Sequence, residues 1–168
     1  MEISMNIKKK ILGITIAPVI ILGLISMFLT TTMVRSAMLE EIEEALRGTA
    51  AATLAAYDQN TGDYLQTSNG DIWKGSYNIS KSESLVDRIK GNTGMDVTFF
   101  YGDTRIMTSA VDAGGNRILN SKAGDRIVEK VLQGGESYFS HAVSIEGTLN
   151  YGYFIPVSYT HLRAHETS

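Results

Sequence analysis

The sequence predicts an α+β protein in which an N-terminal transmembrane helix continues into a long helix packed on an antiparallel sheet of about five strands. The first observation behind this prediction is that residues 11–34, ILGITIAPVIILGLISMFLTTTMV, contain no charged side chain. The second is that short runs of strand-forming residues alternate with turn residues from about residue 96 onward, with one short helical pattern between them.

Residues 11–34 are long enough to cross a membrane, because a helix of this length spans about 36 Å and the hydrocarbon core is roughly 30 Å thick. A secretory signal peptide is the competing interpretation, since three consecutive lysines at 8–10 resemble its positive region. The apolar run is too long for that, and no small-x-small cleavage site ends it. Only Arg35 follows closely, so the positive-inside rule places residues 1–10 in the cytoplasm and the chain after residue 35 outside the cell membrane.

Composition excludes several classes of protein. The 168 residues include no cysteine, so the exported part must be stabilised by a core rather than by disulfides. The formal net charge is −3 and the cations alternate with acids, which excludes a nucleic-acid-binding stripe. No P-loop, HExxH, GxSxG or cysteine nucleophile occurs, and His141 alone makes no triad, so we expect neither an enzyme nor a cofactor.

Residues 35–57 are predicted to form a helix continuous with the anchor, because small and apolar residues recur at spacings of three and four. Glutamates occupy the other faces. The narrow apolar stripe suits a helix that packs on a second copy of the chain and on the sheet, which predicts a homodimer. The stripe comprises Leu39, Ile42, Leu46, Thr49 and Thr53.

The remaining elements follow from turn and cap signals. Residues 58–80 are predicted to be irregular, and a capping box of Ser80 and Glu83 to open a helix that ends at Gly91 or Gly94. A hairpin turns at 102–103, residues 113–119 (AGGNRIL) are predicted to supply a third strand, and residues 124–135 a short helix ending at Gly134. Residues 136–157 are predicted to form two strands about a Glu146–Gly147 turn.

The turn at 102–103 sets the pairing of the first hairpin. The predicted pairs are Tyr101 with Thr104, Phe100 with Arg105, Phe99 with Ile106, and Thr98 with Met107. One face then carries Val97, Phe99, Tyr101 and Ile106, which suits a packed helix. The other carries Thr98, Phe100, Arg105, Met107 and Ser109, a composition typical of a small-ligand pocket.

Arg105 is the residue on that face best suited to bind an anion, because its planar fork donates two parallel hydrogen bonds to a carboxylate. A covered guanidinium requires a partner. That partner is either a ligand or a neighbouring acid such as Asp103 or Glu136.

Four further residues are candidates for the same pocket. Trp73, the only tryptophan, either anchors the loop to the core or forms a lid with Lys74 as a second anion contact. Tyr151 and Tyr153 share a strand face, where they either pack in the core or direct a hydroxyl into the cavity.

Residues 89–157, from IKGNTG to YFIPV, resemble a single Cache domain of the kind found outside the membrane in bacterial chemoreceptors, sensor histidine kinases and membrane diguanylate cyclases. The resemblance lies in the order of helix, strand-GD-strand, turn, KVLxG helix and G-Y-x-x-P-V strand. It implies a PAS-like sheet with a ligand pocket on the face away from the long helix, and small carboxylates or amino acids as ligands.

The resemblance also adds a candidate residue. Citrate-type sensors have an Arg-x-x-His pair on the corresponding strand, whereas Arg105 is followed by Thr108, which keeps an anion anchor but argues against citrate. The predicted ligand-binding residues are Trp73, Lys74, Phe100, Arg105, Met107, Thr108, Ser109, Tyr151 and Tyr153. No metal is expected.

The resemblance ends at Val157, where a Cache domain normally continues into a last strand. Residues 158–168, SYTHLRAHETS, look like a non-native tail, so His161 and His165 are not interpreted as metal ligands. The expected function is the extracytoplasmic sensor domain, residues 35–157, of a methyl-accepting chemotaxis protein, or alternatively of a histidine kinase or diguanylate cyclase. A pilin is disfavoured, because Gly13 precedes Ile14 and the next acid is Glu40.

Overall fold

The computed structural model describes residues 7–157, so the tail at 158–168 with its two histidines lies outside the described residues. A single helix, α1 (Ile7–Asp58), runs from the apolar segment through residues 35–57, which confirms the predicted continuity. The chain divides after Ile42 into two compact units. In the first unit α1 is long and apolar enough to cross a membrane by length and composition, and large apolar side chains such as Leu22 and Phe28 are exposed.

The second unit begins with the last four turns of α1. Its first strands, β1 (Tyr64–Gln66), β2 (Ile72–Lys74) and β3 (Tyr77–Asn78), form a three-stranded antiparallel sheet. The prediction of an irregular segment at 58–80 was therefore wrong. Strands of two or three residues are too short to show an alternating pattern, and the sheet depends on a close backbone approach between Thr61 and Gly75 that only glycine permits.

The next helix, α2 (Glu83–Thr93), confirms the prediction and ends at Gly94, which has a φ of 72°. The predicted capping box was wrong. Ser82, not Ser80, is the N-cap, and it makes no side-chain cap. Its hydroxyl instead donates to the carbonyl oxygen of Ile79 at 2.7 Å and accepts from the phenol of Tyr57.

Strands β4 (Thr98–Tyr101) and β5 (Thr104–Thr108) form the predicted hairpin. The pairs nearest the turn, Tyr101 with Thr104 and Phe100 with Arg105, are confirmed. Beyond them the register shifts, so the predicted pairs Phe99 with Ile106 and Thr98 with Met107 were wrong. The observed pairs are Phe99 with Met107 and Thr98 with Thr108.

A bulge at Ile106 causes this shift. Ile106 packs against the cluster of Tyr57, Ile72 and Ile79, while Met107 belongs to a second cluster with Val86 and Val97. Phe99 contacts both clusters. The bulge thus lets two consecutive apolar side chains reach the core on the same side of the sheet, which strict alternation forbids.

The segment predicted as a third strand, 113–119, forms no strand in the described part of the chain. Arg117 of this segment makes an isolated bridge with Val111, and Lys122, which follows the segment, makes one with Thr104 of β5. The helix predicted at 124–135 is confirmed as α3 (Asp125–Ile127), which continues as a π-helix over Val128–Gln133.

Strands β6 (Tyr138–Ile145) and β7 (Thr148–Phe154) confirm the last predicted hairpin and its Glu146–Gly147 turn. Within residues 7–157 the strands form three small antiparallel sheets, β1–β2–β3, β4–β5 and β6–β7. The α+β class with a long N-terminal helix is confirmed, but the single sheet of about five strands was wrong.

Candidate ligand-binding site

Arg105 lies on β5 opposite Phe100 and is only 6% exposed. Its guanidinium carbon is 5.5 Å from the centroid of the Phe100 ring, within the range of a cation–π contact. Nη1 donates a long hydrogen bond of 3.4 Å to the carbonyl oxygen of Ile118. Nε is buried and has no hydrogen-bond partner within residues 7–157. Burial lowers the pKa of Arg105, and the charge of Asp96 partly offsets that effect.

The acids that were expected to pair with Arg105 are paired with lysines instead. Asp103 binds Lys122 at 2.7 Å, and Glu136 lies 3.9 Å from Lys130. The hydrogen bond from Lys122 lowers the pKa of Asp103. In the described part of the chain, no carboxylate oxygen lies within 4.0 Å of the Arg105 guanidinium. A structural salt bridge is therefore not found for this arginine between residues 7 and 157.

On its other edge, β5 meets residues 118–123 in a pattern that brings Ser121 opposite Arg105. The amide of Arg105 donates to the carbonyl oxygen of Ser121, and the amide of Asn120 donates to that of Arg105, both at 2.9 Å. Asn120 has a φ of 60°. These two bonds and the left-handed residue describe a G1-type bulge, a position that asparagine tolerates.

The bulge matters because directly opposed residues share a sheet face. Ser121 therefore projects on the same side as Arg105 and Phe100. Its Oγ is buried and, like Nε of Arg105, has no hydrogen-bond partner among the residues described. The sequence prediction did not include Ser121; the only signal for it was Asn120, a residue type that adopts positive φ.

Three other predicted ligand-binding residues, on or next to this hairpin, direct their side chains to other residues of the protein. The hydroxyl of Thr108 is 2.7 Å from that of Thr98 and accepts from the amide of Ala110. Ser109 donates to Asp96 at 2.8 Å. Met107 is buried in the core with Val86 and Val97, because the bulge turns it away from the face that carries Arg105.

The comparison with protein families decides what kind of domain holds this arginine. The family model described as "Single cache domain 3" matches residues 77–161, half of the chain. The chain belongs to the single Cache domain 3 family. Cache domains are extracytoplasmic sensor domains that bind small molecules and are generally non-enzymatic. Searches of curated proteins and of solved structures found no match.

Trp73 and Lys74 lie before the matched part of this Cache domain, on β2. Trp73 pairs with Leu65 of β1. Lys74 lies 3.6 Å from the carboxylate of Asp58 and 4.5 Å from the centroid of the Tyr64 ring. The ammonium group of Lys74 is therefore paired with Asp58 at the end of α1.

Tyr151 and Tyr153 lie on β7 and share a face, as predicted. Tyr151 stacks on Phe139 with centroids 6.0 Å apart, and Tyr153 is paired with Phe139. Phe154 projects from the other face of β7 because side chains alternate along a strand. The Phe154 ring is the one near Phe100, at 6.4 Å between centroids. The Cache domain therefore brings Phe154, which was not predicted, to the side of the hairpin that carries Arg105.

Among residues 7–157 no group of three or more histidine and acidic side chains is arranged to hold a metal ion. The groups on the side of the hairpin that carries Arg105 are one buried guanidinium, one buried hydroxyl and two phenylalanine rings. Such a set is chemically suited to an anion with an apolar part, because the cation supplies charge and the rings supply apolar surface.

Proposed function

We propose that this Cache domain senses a small carboxylate or amino acid outside the cell membrane, and that Arg105 binds its carboxylate. The observation that carries the proposal is the buried Nε of Arg105, which has no acceptor within residues 7–157. Burying a charge without a partner is costly, and an anionic ligand would supply both the opposite charge and the acceptors.

Phe100 forms the wall of the proposed site, since it packs against the guanidinium. Trp73, Lys74, Tyr151 and Tyr153 remain predicted contacts with less support, because their contacts lie on other elements. Met107 has the least support as a ligand contact, since its side chain is buried in the core and only 1% exposed.

The proposed setting is a homodimeric chemoreceptor of the methyl-accepting type, anchored by α1. The continuity of α1 from the apolar segment to Asp58 supports this setting. Ligand binding would favour one of two packings of α1 against its copy, by as much as the ligand's affinity for the two states differs. A sensor histidine kinase or diguanylate cyclase would use the same domain with another output.

The experiment is a thermal-shift screen of the full chain in detergent micelles against small carboxylates and amino acids. A ligand at 100 times its dissociation constant stabilises by about 2.7 kcal/mol. Arg105→Ala should abolish the shift, and Arg105→Met serves as a second variant because it keeps most of the side-chain volume. Arg126→Ala, which removes an exposed arginine of α3, is the matched control and should respond like the wild type.

Two results would overturn the proposal. One is that no carboxylate or amino acid shifts the unfolding of the wild type. The other is that a folded Arg105→Met variant keeps the full response.

A further inference from the structure

We infer that Ser121 is the second anchor of the anion site, and that the ligand is a small monocarboxylate held between Arg105 and Ser121. This inference rests on the proposed function of Arg105. It adds a binding residue and narrows the ligand class. The observations that carry it are the pairing across the bulge and the charges of the surrounding residues.

Two buried polar atoms without partners occupy opposed positions on one sheet face. Nε of Arg105 and Oγ of Ser121 are both buried without a hydrogen-bond partner in the described chain. The backbone bond from Arg105 to Ser121, 2.9 Å long, fixes the two residues side by side. A carboxylate placed there accepts from Nε–H and from the serine hydroxyl, so one group satisfies both atoms.

The charge balance around the site selects a single carboxylate. Three cations on the elements around the hairpin are neutralised by acids. The pairs are Lys122 with Asp103 at 2.7 Å, Lys90 with Asp96 at 2.8 Å, and Arg117 with Asp87 at 2.6 Å. Arg105 thus offers one positive charge. A second carboxylate of a dicarboxylate or citrate would be desolvated without a cation, which is costly.

The same ion pairs argue against an amino acid as the ligand, because its ammonium group would need a carboxylate that is not already bound to a cation. Asp96 and Asp103, the acids that flank the hairpin, are both bound to lysines, and Asp96 also accepts from Ser109. The rings of Phe100 and Phe154 instead favour an alkyl group next to the carboxylate. Short alkyl carboxylates such as propionate have this chemistry.

The test is isothermal titration calorimetry on the full chain in detergent micelles, with propionate, succinate, citrate, alanine and chloride as the titrants. Propionate should bind the wild type, and the other four should bind at least about tenfold more weakly. Ser121→Ala should weaken propionate binding at least about tenfold, because it removes a hydrogen bond to a charged group. Ser84→Ala, which alters an exposed serine of α2, should leave it unchanged.

The outcomes separate this inference from the proposed function. If succinate or alanine binds as tightly as propionate and Arg105→Met loses that binding, Arg105 is the anchor but the ligand class is wrong. If Ser121→Ala binds propionate like the wild type, Ser121 is no anchor and this inference fails while the proposed function stands. If chloride competes equally, the site holds only a small ion and the inference fails. If no anion binds at all, the proposed function fails as well.

Discussion

The phenol of Tyr57 donates a 2.6 Å hydrogen bond to Oγ of Ser82, which links the last turn of α1 to the start of α2. The hydroxyl of Ser82 in turn donates to the carbonyl oxygen of Ile79 at 2.7 Å. Tyr57 is completely buried, and its ring packs edge-on against Phe99 of β4 with centroids 4.4 Å apart. The end of α1 is thereby fixed to the element that also carries Phe100.

Replacing Tyr57 with phenylalanine should lower the free energy of unfolding by about 1–2 kcal/mol, because the buried hydroxyl of Ser82 loses its donor. Urea denaturation at neutral pH measures this change. Tyr151→Phe, at a tyrosine that is 44% exposed, should change the free energy far less. Equal effects of the two substitutions would contradict the assigned role of the Tyr57 hydroxyl.

The same residue predicts a loss of stability at alkaline pH. Burial raises the pKa of Tyr57 to about 12, opposed by the hydrogen bond to Ser82. In the unfolded chain a tyrosine ionises near pH 10. The stabilisation that the un-ionised phenol of Tyr57 contributes is therefore fully present below about pH 10, and it is lost as the pH rises toward 12. Urea denaturation across that range should show a shallower decline for Tyr57→Phe, and parallel curves for both proteins would refute the prediction.

The pair of Asp87 and Arg117 should make stability depend on acidic pH. Arg117 donates to both carboxylate oxygens of Asp87, at 2.9 and 2.6 Å, and to the carbonyl oxygen of Thr108. Its hydrogen bonds lower the pKa of Asp87. The stabilisation from the ionised carboxylate is thus present above the unfolded pKa, near 4, and is lost as pH falls through the lower folded value.

Asp87→Asn should therefore cost about 0.5–1 kcal/mol near neutral pH, as partly exposed ion pairs do, and little at pH 2. Urea midpoints at the two pH values give the comparison. Glu129→Gln, which neutralises an exposed acid of the π-helix, is the control for the change in net charge. A difference between Asp87→Asn and wild type that is the same at both pH values would show that the carboxylate charge is not involved.

The elements that could be predicted from the sequence are those whose signals are local. Helix α2 has an apolar spacing and a glycine stop at Gly94, and the β6–β7 hairpin has alternating strands about the Glu146–Gly147 turn. The bulge at Ile106 has no local signal, because it arises from where two core clusters lie relative to the hairpin. Strands β1 to β3 escaped prediction because a run of two or three residues has no periodicity.

Gly152 on β7 should not accept a larger side chain without loss of stability, because its neighbours leave no space for one. A Cβ at Gly152 would lie 2.8 Å from Cγ2 of Val143 and 3.1 Å from the ring of Phe154. Gly152→Ala should destabilise by about 1–3 kcal/mol, as overpacking does. Thermal unfolding measures the effect.

Gly91→Ala is the matched control, because Gly91 lies inside α2 and a Cβ there meets no atom within 4 Å. It should stabilise by about 0.5–1 kcal/mol, since glycine weakens a helix interior. Adding Val143→Ala to Gly152→Ala should recover part of the loss. A neutral Gly152→Ala would contradict the packing of Phe154 over the strand.

The candidate site was predictable in part. Arg105 and Phe100 follow from residue type and from the pairs nearest the turn, where register is set by only two residues. Ser121 and Phe154 depend on which distant segments lie beside the hairpin, and pairing across such a distance leaves no mark in the composition of either segment. The expected acids, Asp103 and Glu136, are instead neutralised by Lys122 and Lys130, and the sequence does not show which cation each acid meets in the fold.

The most direct test of Arg105 as the anion anchor is the thermal unfolding of Arg105→Met without ligand and with propionate. If Arg105 is a buried cation kept for a ligand, as proposed, the apolar substitute should leave the unliganded protein equally stable or stabilise it by roughly 1 kcal/mol. It should also abolish the response to propionate. A substitution that destabilises the unliganded protein by several kcal/mol, with the propionate response intact, would show that Arg105 serves the fold and that the anion site lies elsewhere.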